Sequence, residues 1–509
     1  MKKKICVWIN NNFGLLAVAK YFQNNEDCEL YAIVDSNTGI DEIIKKQKLV
    51  TFKKIWYFDG AFVSNSVIDI EYMQSIEKKS NIVFSFIASI ERLFYKEFNQ
   101  YHNFTQSEIL SILEQETKFF ELILEENNFD IVLCSPIARH FQYLFYLLCK
   151  SRKILFLMFE SVRFGNRYIV SEAPYFEMVK KFDSNLKNSK KLSSDEIKNF
   201  LDTFKPRKFL TDSKLIDKYK ISKEEKLKAL VQFPFVKNEN EKKFSTYGRT
   251  KKNILLKGLG RAQLRKQKKR EKYMDTEFLK KINKNEGYVY FPLHVEPEKA
   301  LHLGAPFYTD QIAVIRNIAK FLPVEYKLFV KEHPGMEMRG WRDESFYEKI
   351  KEIPNVRLVH PSIKTKEIIE NSSLVITIRG TSGIESIFYE KPSIVLVADF
   401  GYPLIPSIKI LEKIDELPIA IRDSLKKNVK VSDLTNFINF IEENTVILDF
   451  THYSYDIAHT FNYNIGYLNK PKFEISELEN LFKKFNDMFE VLSKQFILKI
   501  NQHQKIKNS

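Results

Sequence analysis

The chain has 509 residues, 44% of them hydrophobic and 28% charged, which is enough for two or three globular domains and excludes disorder as the main state. Its four cysteines form no CxxC pair, which argues against a disulfide framework or a zinc site and predicts a reducing cytoplasm. The 80 Lys and Arg exceed the 65 Asp and Glu by a net charge of +15, which favours an anionic partner: nucleic acid, a membrane surface or a phosphate-bearing substrate.

The first part of the chain alternates strands and helices as a parallel sheet requires. Between Lys4 and Val34 the segments ICVWIN, NNFGLLAVAKYFQN and CELYAIV predict a strand, a loop leading into a helix, and a second strand. The alternation returns with FDIVLC at 129–134, a helix near 137–148 and ILFLMFE at 154–160. We therefore predict an α/β domain with helical insertions between the two groups of strands.

Neither a targeting segment nor a membrane span is expected. The apolar run after MKKK stops at Asn10, short of the ~7–15 residues of a signal-peptide core, and no stretch approaches ~18–20 uncharged apolar residues. Apolar residues recur at helical spacing between Ile475 and Ile500, which favours a helix docked on the core over a membrane anchor.

Most of the net positive charge of the chain lies in one segment. Residues 241–281 contain 15 Lys and Arg against 4 Asp and Glu. Such a run is commonly a solvated helix or linker, and it would also suit anionic lipid headgroups, a polyanionic acceptor or nucleic acid. The segment contains no recognition-helix, zinc or RNP motif, so nucleic acid is ranked last.

A second alternation begins after Gly287 and is the clearest architectural signal. The segments YVYFPLH, YKLFVKEHP, NVRLV, LVITIRG and PSIVLVA predict five strands separated by helices. The predicted class is α/β, with two Rossmann-like domains facing a central cleft, helical insertions and a C-terminal helix. The predicted boundaries are 1–228 for the first domain, 229–285 for a basic connector, 286–465 for the second domain and 466–509 for a helical segment.

Ligands of open α/β folds bind at the carboxyl ends of the strands, so candidate residues are sought there. The segment that follows LVIT supplies Arg379, Gly380, Thr381, Ser382, Gly383 and, one turn later, Glu385. Backbone N–H groups and hydroxyls at the start of a helix suit a phosphate, and the carboxylate suits ribose hydroxyls. An ordinary N-cap after a tight turn is the alternative.

Strand YKLFVKEHP ends in Lys331, Glu332, His333 and Pro334. Proline ends the strand where His333 projects past the sheet, as a proton donor or a hydrogen-bond donor to phosphate, while Lys331 adds charge.

Further candidates follow other strands. His294 comes after YVYFPLH, and Glu298 lies in the same loop, where it either contacts a sugar or caps a helix. In the first domain, candidates for the acceptor side are basic residues that could also be simple surface ion-pair partners. They are Arg139, His140, Arg163 and Arg167.

The absence of common motifs narrows the chemistry. The sequence contains no GxxxxGK[ST], GxSxG or HExxH, no GxGxxG after the first strand, and no convincing DxD pair. We expect a metal-independent group transfer without a bound cofactor, in which basic residues and a helix N-terminus stabilise a departing phosphate.

Several blocks of the second domain, taken in order, resemble the bacterial capsule polysaccharide biosynthesis proteins. The blocks are YVYFPLHVEPE, Asp310-Gln311, KLFVKEHP, Arg339-Gly340, NVRLVHP and VITIRGTSGIESIFYEKPSIVL. That family is similar to the Kdo transferases of capsule assembly and, more distantly, to bacterial sialyltransferases with a His-Pro motif and a Ser/Thr motif. The resemblance runs from Tyr288 to roughly Tyr402, and in the first domain only 159–172 looks similar.

The resemblance implies a GT-B fold in which the second domain binds most of a nucleotide-sugar donor. It implies that His333-Pro334 lies near the donor nucleotide or phosphate, Thr381-Ser382 at the phosphate and Glu385 at the ribose. In the sialyltransferase relatives an acidic motif of the first domain supplies the catalytic base, and this chain has no clear counterpart of that motif.

The predicted function is a glycosyltransferase that moves a sugar from a nucleotide donor to a capsular or other cell-surface glycan, or to a lipid-linked acceptor. The resemblance favours a CMP-linked keto-sugar over a UDP-sugar. The predicted location is the cytoplasmic face of the membrane, with other polysaccharide-assembly proteins as partners. The alternatives are a CDP-alditol-dependent polyol-phosphate transferase, a non-catalytic assembly scaffold and a nucleic-acid-binding protein.

Overall fold

The structure is a computed structural model of the chain. The residues that it describes are 2–36, 40–60, 63, 67–96, 98–99, 101–174, 190–203, 231, 243–245, 247–248, 250, 261–296, 298–399, 401–461 and 474–508.

Strands and helices alternate along most of the described chain. The strands are β1 Lys3–Ile9, β2 Cys28–Asp35, β3 Ile55–Phe58, β4 Ile131–Cys134, β5 Leu155–Ser161, β6 Arg167–Ser171, β7 Tyr288–Pro292, β8 Lys327–Lys331, β9 Val356–Val359, β10 Leu374–Thr377, β11 Ser393–Val395, β12 Ile408–Ile410 and β13 Val446–Ile447. The helices of the first half are α1 Gly14–Asn25, α2 Asp41–Lys46, α3 Ile70–Ser80, α4 Phe84–Ile90, α5 Gln106–Glu126, α6 His140–Ser151 and α7 Ser194–Thr203. Those of the second half are α8 Arg261–Glu277, α9 Lys299–His302, α10 Gln311–Lys320, α11 Glu344–Lys351, α12 Thr365–Asn371, α13 Ser382–Phe388, α14 Leu417–Leu425, α15 Thr435–Asn444, α16 Phe450–Thr460, α17 Ile475–Lys484 and α18 Asn486–Asn508.

The chain divides into two compact units, each containing one sheet. The first unit comprises Met1–Pro174, Pro206–Leu256 and Thr445–Ser509. The second comprises Tyr175–Lys205 and Lys257–Asn444. Two α/β units, each built on a largely parallel sheet, confirm the predicted fold class of two Rossmann-like domains.

The first sheet has the order β13-β6-β5-β4-β1-β2-β3. Strands β1 to β5 pair in parallel, and β6 and β13 add two antiparallel strands at one edge. The parallel strands are nearly continuous apolar runs, as expected where helices cover both faces. The order reverses between β1 and β4, so the carboxyl ends of these two strands form the switch point at which open α/β sheets bind ligands.

The last two helices belong to the core of the first unit. Phe482 of α17 and Phe489, Leu492 and Phe496 of α18 are buried in the same apolar cluster as Phe13 beside α1. The predicted docking of this amphipathic stripe is therefore what the structure shows. The described residues from 445 onward belong to the first unit, and those from 474 onward contribute to its core.

The second sheet has the order β12-β11-β10-β7-β8-β9, and all its strands are parallel. Its carboxyl ends gather the loops after β7, β8 and β10, which carry most of the predicted site residues. The basic helix α8, predicted as part of a connector, packs on this unit: Met274 and Phe278 lie in its core, and Leu279 forms a parallel bridge with Val359.

Replacing Phe496 by Ala tests whether α18 is core. Phe496 is fully buried, so Phe496→Ala should lower the free energy of unfolding by about 3–5 kcal/mol through lost burial and a residual cavity. The matched control is Leu498→Ala on the same helix, where the side chain is 48% exposed and a change within about 0.5 kcal/mol is expected. Equal midpoints for both variants in urea denaturation would contradict the packing.

Candidate functional site

The carboxyl end of β7 leads into His294, which is buried and held through its backbone. Its N–H donates to Oε1 of Gln311 at 2.7 Å, and its carbonyl accepts from Nε2 of Gln311 at 3.1 Å and from Nη2 of Arg342 at 2.6 Å. The ring Nε2 accepts from the backbone N–H of Arg379 at 3.4 Å. His294 thus joins the ends of β7 and β10.

A buried ion pair fixes the end of β8. Nη1 of Arg342 lies 2.6 Å from both carboxylate oxygens of Glu332, and the Tyr347 hydroxyl donates to Oε2 at 2.8 Å. Arg342 also pairs with Glu296 at 3.2 Å, and these carboxylates raise its pKa although burial opposes the charge. The carboxylate of Glu332 is occupied by protein groups, so it positions its neighbours.

His333 is the exposed residue that this ion pair positions. Its backbone N–H donates to Oε1 of Glu332 at 2.7 Å, and its ring Nδ1 accepts from the N–H of Gly335 at 3.0 Å. Partial withdrawal from water lowers the pKa of His333, an effect that Arg342 and Lys331 increase and nearby carboxylates oppose. The lowered pKa favours the neutral ring, in which Nε2 carries the proton because Nδ1 accepts a hydrogen bond, and Nε2 is then a hydrogen-bond donor.

Arg379 is buried and locked beside the loop that follows β10. Its Nε and Nη2 lie 3.0 and 2.9 Å from the two carboxylate oxygens of Asp399, and Nη1 donates to the carbonyl of Ala300 at 3.3 Å. A Cβ on Gly304 would lie 1.2 Å from Nη1 of Arg379. Arg379 is thus a positioning residue, and glycine at 304 makes room for its guanidinium.

The turn from β10 into α13 is held from several sides. The N–H of Gly380 donates to Oγ1 of Thr377 at 3.0 Å, and its carbonyl accepts from the Tyr402 hydroxyl at 2.5 Å. The Thr381 hydroxyl donates to Glu385 at 2.7 Å. Ser382 is 6% exposed, and its buried hydroxyl has no hydrogen-bond partner among the described residues. A buried hydroxyl without a partner needs an explanation, and an ordered water or a ligand oxygen would each satisfy it.

Gly380 also shows how close the separate loops lie. A Cβ at this position would be 3.3 Å from Oγ of Ser382 and 3.5 Å from Nε2 of His294. Gly383 is similarly tight, because its Cβ would meet Val395 at 3.0 Å. The ends of β7 and β10 therefore converge on one small region of the second unit.

A buried lysine and a buried carboxyl share this edge of the sheet. Nζ of Lys331 donates to the carbonyl of Ile363 at 2.6 Å and to the hydroxyl of Thr365 at 3.1 Å. Burial lowers the pKa of Lys331 to about 8 and raises the pKa of Glu385, and the attraction between the two charges opposes both shifts. The pKa of each of these two groups therefore responds to the charge of the other.

The last second-unit candidates are exposed. Glu298 precedes α9 without capping it through its side chain, lies 3.8 Å from Arg339, and is the nearby carboxylate that most raises the pKa of His333. Pro334 begins the 3-10 turn 334–339.

His140, predicted on the acceptor side, is fully buried in the first unit. Its Nδ1 and Nε2 each lie 2.8 Å from a carboxylate, that of Glu91 and that of Glu116. These carboxylates outweigh burial and raise the pKa of His140 to about 9, so the imidazole is charged. Nε of Arg139 also binds Glu91 at 2.8 Å, and the Arg139 side chain is 31% exposed. Arg139 therefore reaches solvent beside the switch point, whereas His140 holds Glu91 in place.

The other two basic candidates lie after β5. Arg163 has a left-handed φ of 64°, and its N–H donates to the Ser161 hydroxyl at 3.3 Å. Arg167 lies in β6, and its Nη1 donates to the Thr445 hydroxyl at 3.3 Å.

Sequence reasoning missed four residues that organise the second-unit site. They are Arg342, Asp399, Gly304 and Gln311. Each acts on a predicted residue from another loop, and local patterns contain no signal for such pairing. Two of the four lie in or near a block noted in the sequence: Gln311 belongs to Asp310-Gln311, and Arg342 follows Arg339-Gly340 by two residues. Within the described ranges, no group of three His, Cys, Asp or Glu side chains could hold a metal ion, and no helix is long and apolar enough to cross a membrane.

Residues 208–402 match a family model described as "Capsule polysaccharide biosynthesis protein". The range includes the second-unit site from His294 to Tyr402, and the match confirms the resemblance found in the second-domain motifs. This segment is therefore similar to the capsule polysaccharide biosynthesis proteins. No curated protein matches the chain.

Solved structures that match the chain include a UDP-GlcNAc 2-epimerase from Methanocaldococcus jannaschii, which is 13% identical and whose match covers 87% of this chain and 99% of that one at a TM-score of 0.23. A Thermosulfurimonas dismutans KpsC, a beta Kdo 2,7 transferase, is 11% identical and covers 63% of this chain and 79% of that one at 0.29. At such values the similarity carries no argument about activity.

Gly304→Ala should disrupt the contacts that hold the Arg379 side chain in place. The added Cβ would displace the guanidinium from Asp399, and breaking a buried ion pair costs about 3–5 kcal/mol. We expect a lower midpoint in thermal unfolding. The same Cβ would lie 2.9 Å from the Ala300 carbonyl oxygen, so Gly304→Ala should still cost some stability in the Arg379→Met background, but much less than in the wild type. An equal loss in both backgrounds would contradict a clash with the guanidinium as the main cause.

The charge of His140 should make stability depend on pH. Its pKa of about 9 in the folded state lies above its usual value of 6.5, so the stabilisation is complete below pH 6.5 and is lost as pH rises towards 9. The shift corresponds to about 3 kcal/mol. His140→Ala should remove this dependence and destabilise the first unit, because Glu116 would stay buried without its cation and Glu91 would keep only Arg139.

The control for His140 is His452→Ala, an exposed histidine paired with Asp449. It should leave the free energy of unfolding between pH 6 and 9 unchanged. The same pH dependence in wild type and His140→Ala would show that other groups cause it.

Proposed function

We propose that the protein is a glycosyltransferase that transfers a sugar from a nucleotide-sugar donor to an acceptor in capsule or cell-surface glycan assembly. The observation that carries the proposal is the buried, orphaned Ser382 hydroxyl at the carboxyl edge of the second sheet, within the segment 208–402 that matches the capsule family. His333 and Lys331 lie at the same edge. These groups supply hydrogen bonds or positive charge, which stabilise a departing nucleoside monophosphate or diphosphate.

In the proposed reaction the bond between the anomeric carbon and the donor phosphate oxygen breaks, and its electron pair stays on the phosphate. The acceptor hydroxyl oxygen forms the new bond to the anomeric carbon and releases its proton. The Nε2–H of His333 and the hydroxyl of Ser382 stabilise the charge that develops on the phosphate. Glu298 is the exposed carboxylate near His333 and is our candidate for receiving the acceptor proton.

Two buried ion pairs hold the hydrogen-bonding side chains of the site in position. The Arg342–Glu332 pair places His333, and the Arg379–Asp399 pair supports the turn that presents Thr381 and Ser382. A group fixed before the reaction loses little free energy to reorganisation when charge develops, so these ion pairs support catalysis without touching the donor.

Glu385 and Lys331 are proposed to contact the sugar or ribose of the donor. Burial favours the neutral carboxyl form of Glu385, which both donates and accepts hydrogen bonds and so suits vicinal hydroxyls. A CMP-linked keto-sugar is the proposed donor on the strength of the family resemblance, and no cofactor or metal is part of the proposal.

For the acceptor side, Arg139 and Arg163 are the proposed contacts in the first unit. Arg139 is partly exposed, and Glu91, itself held by His140, fixes its direction. The proposed acceptor is a glycan or lipid-linked glycan at the inner face of the cytoplasmic membrane, where other assembly proteins would supply or take up the product.

Nucleotide binding and transfer test the proposal. Among CMP, CDP, UDP and GDP, one nucleotide should raise the thermal midpoint of the full chain, because a ligand that binds only the native state stabilises it by mass action. Ser382→Ala should reduce that shift. His333→Ala should lower the transfer rate constant with the matching nucleotide-sugar by about 10²–10³-fold, the usual cost of losing one donor to a developing anion.

The control is Met338→Ala, a side chain 79% exposed in the 3-10 turn after His333, which should leave both measurements unchanged. Phosphorus in the product polymer would identify a polyol-phosphate transferase instead. A chain that binds none of these nucleotides and transfers no sugar would refute the proposal.

A further inference from the structure

Helix α8 is anchored to the second unit through one face. Met274 is buried in the core of that unit. Nη1 of Arg270 donates to the carbonyls of Gly340 and Trp341 at 2.9 Å each, and Oε1 of Glu271 accepts from the Trp341 indole at 3.4 Å. This anchored face meets the segment that continues into Arg342, the residue that holds the site.

The opposite face of α8 bears a row of exposed cations, which we call the cationic stripe. It consists of Arg265, Lys268, Lys269 and Lys272. At 100° per residue these four side chains fall within one third of the helix circumference, opposite Met274. Lys266 flanks the stripe and is exposed as well.

The stripe is little neutralised by the protein itself. Lys269 pairs with Glu344 at 2.9 Å, while Arg265, Lys268 and Lys272 form no ion pair with any residue that the structure describes. Asp275, the nearest acidic residue beyond the stripe along the helix, pairs with Lys280 at 2.7 Å. The outer face of α8 therefore presents net positive charge to solvent.

This arrangement does not stabilise the helix. Like charges three or four residues apart repel each other and cost a few tenths of a kcal/mol per pair. The anchored face supplies the contacts that stabilise α8, so the stripe is free to meet an external partner. An anionic surface would turn this repulsion into attraction.

The chemistry of the stripe favours lipid headgroups over nucleic acid. Three of its four cations are lysines, compact charges that suit mobile headgroups, whereas phosphate and base recognition favours the planar fork of arginine. The stripe has no exposed aromatic side chain on which a base could stack, since Tyr273 turns to the anchored side and packs on Phe278 and Tyr347. A straight row of lysines suits the flat, anionic surface of a bilayer.

We propose that the cationic stripe of α8 docks the second unit on an anionic lipid bilayer. The bilayer would be the surface on which the donor-binding unit works, and this purpose, unlike the binding, rests on the proposed function. Binding itself is expected whether or not the chain transfers a sugar. Helix α8 also contacts the segment that leads into Arg342, through Arg270. A helix docked on the bilayer would therefore be in contact with the residues that position the site.

The test is co-sedimentation of the full chain with vesicles of phosphatidylcholine alone and of phosphatidylcholine with phosphatidylglycerol at 3:1. Binding is expected only to the anionic vesicles and should fall steeply between 50 and 500 mM salt. The variant R265Q/K268Q/K269Q/K272Q should bind these vesicles at least ten-fold more weakly, since each basic residue near such a surface adds to the attraction.

The matched control is K320Q/K364Q/K366Q/K426Q, which removes four exposed lysines of the same unit and changes net charge equally. It should bind as wild type does. Equal binding by the stripe variant, or an equal loss in the control, would overturn the proposal.

Two further measurements separate the remaining explanations. Stripe-dependent binding to a labelled RNA or DNA duplex without vesicle binding would assign the stripe to nucleic acid and refute lipid docking. The stripe variant should keep the nucleotide-induced thermal shift of the wild type. Vesicle binding by a wild-type chain that shows no nucleotide shift would refute the proposed function and leave the docking surface standing.

Discussion

The second-unit site depends on the buried ion pair between Arg342 and Glu332. The guanidinium bridges the carboxylate at the end of β8 and the carbonyl of His294 after β7, so one cation fixes two loops. A buried ion pair costs desolvation and stabilises little in net terms, but losing one partner leaves a charge stranded in the core. The pair therefore specifies one arrangement of the loops, and the exposed ring of His333 is positioned by that arrangement.

The same principle recurs at the carboxyl edges of both sheets. Asp399 holds Arg379 beneath the turn that carries Ser382, and the paired carboxylates of Glu91 and Glu116 hold a charged His140, with Arg139 on Glu91. In each case buried charges are satisfied by one another. The candidates for binding lie next to these pairs: the exposed ring of His333, the partly exposed side chain of Arg139 and the buried, unpartnered hydroxyl of Ser382.

Much of the architecture could be predicted because short apolar runs alternating with helical periodicity specify parallel strands. The strand ends were predicted closely enough to select Lys331, His333 and Ser382. The roles of Glu332, Arg379 and His140 could not be predicted. The sequence pattern of a charged residue after a strand is the same whether its side chain faces solvent or a buried partner. Burial of all three was decided by partners on other elements, such as Arg342, Asp399 and Glu116.

The sequence by itself determined the class of the two sheets, the family resemblance of the second and the concentration of positive charge before it, because these depend on residue type and spacing along the chain. Tertiary structure alone decided which face of α8 is anchored, that α17 and α18 complete the first core, and which charged side chains are locked. The physical reason is that burial and ion pairing join residues far apart in sequence, and their energies depend on distances that only the folded chain sets.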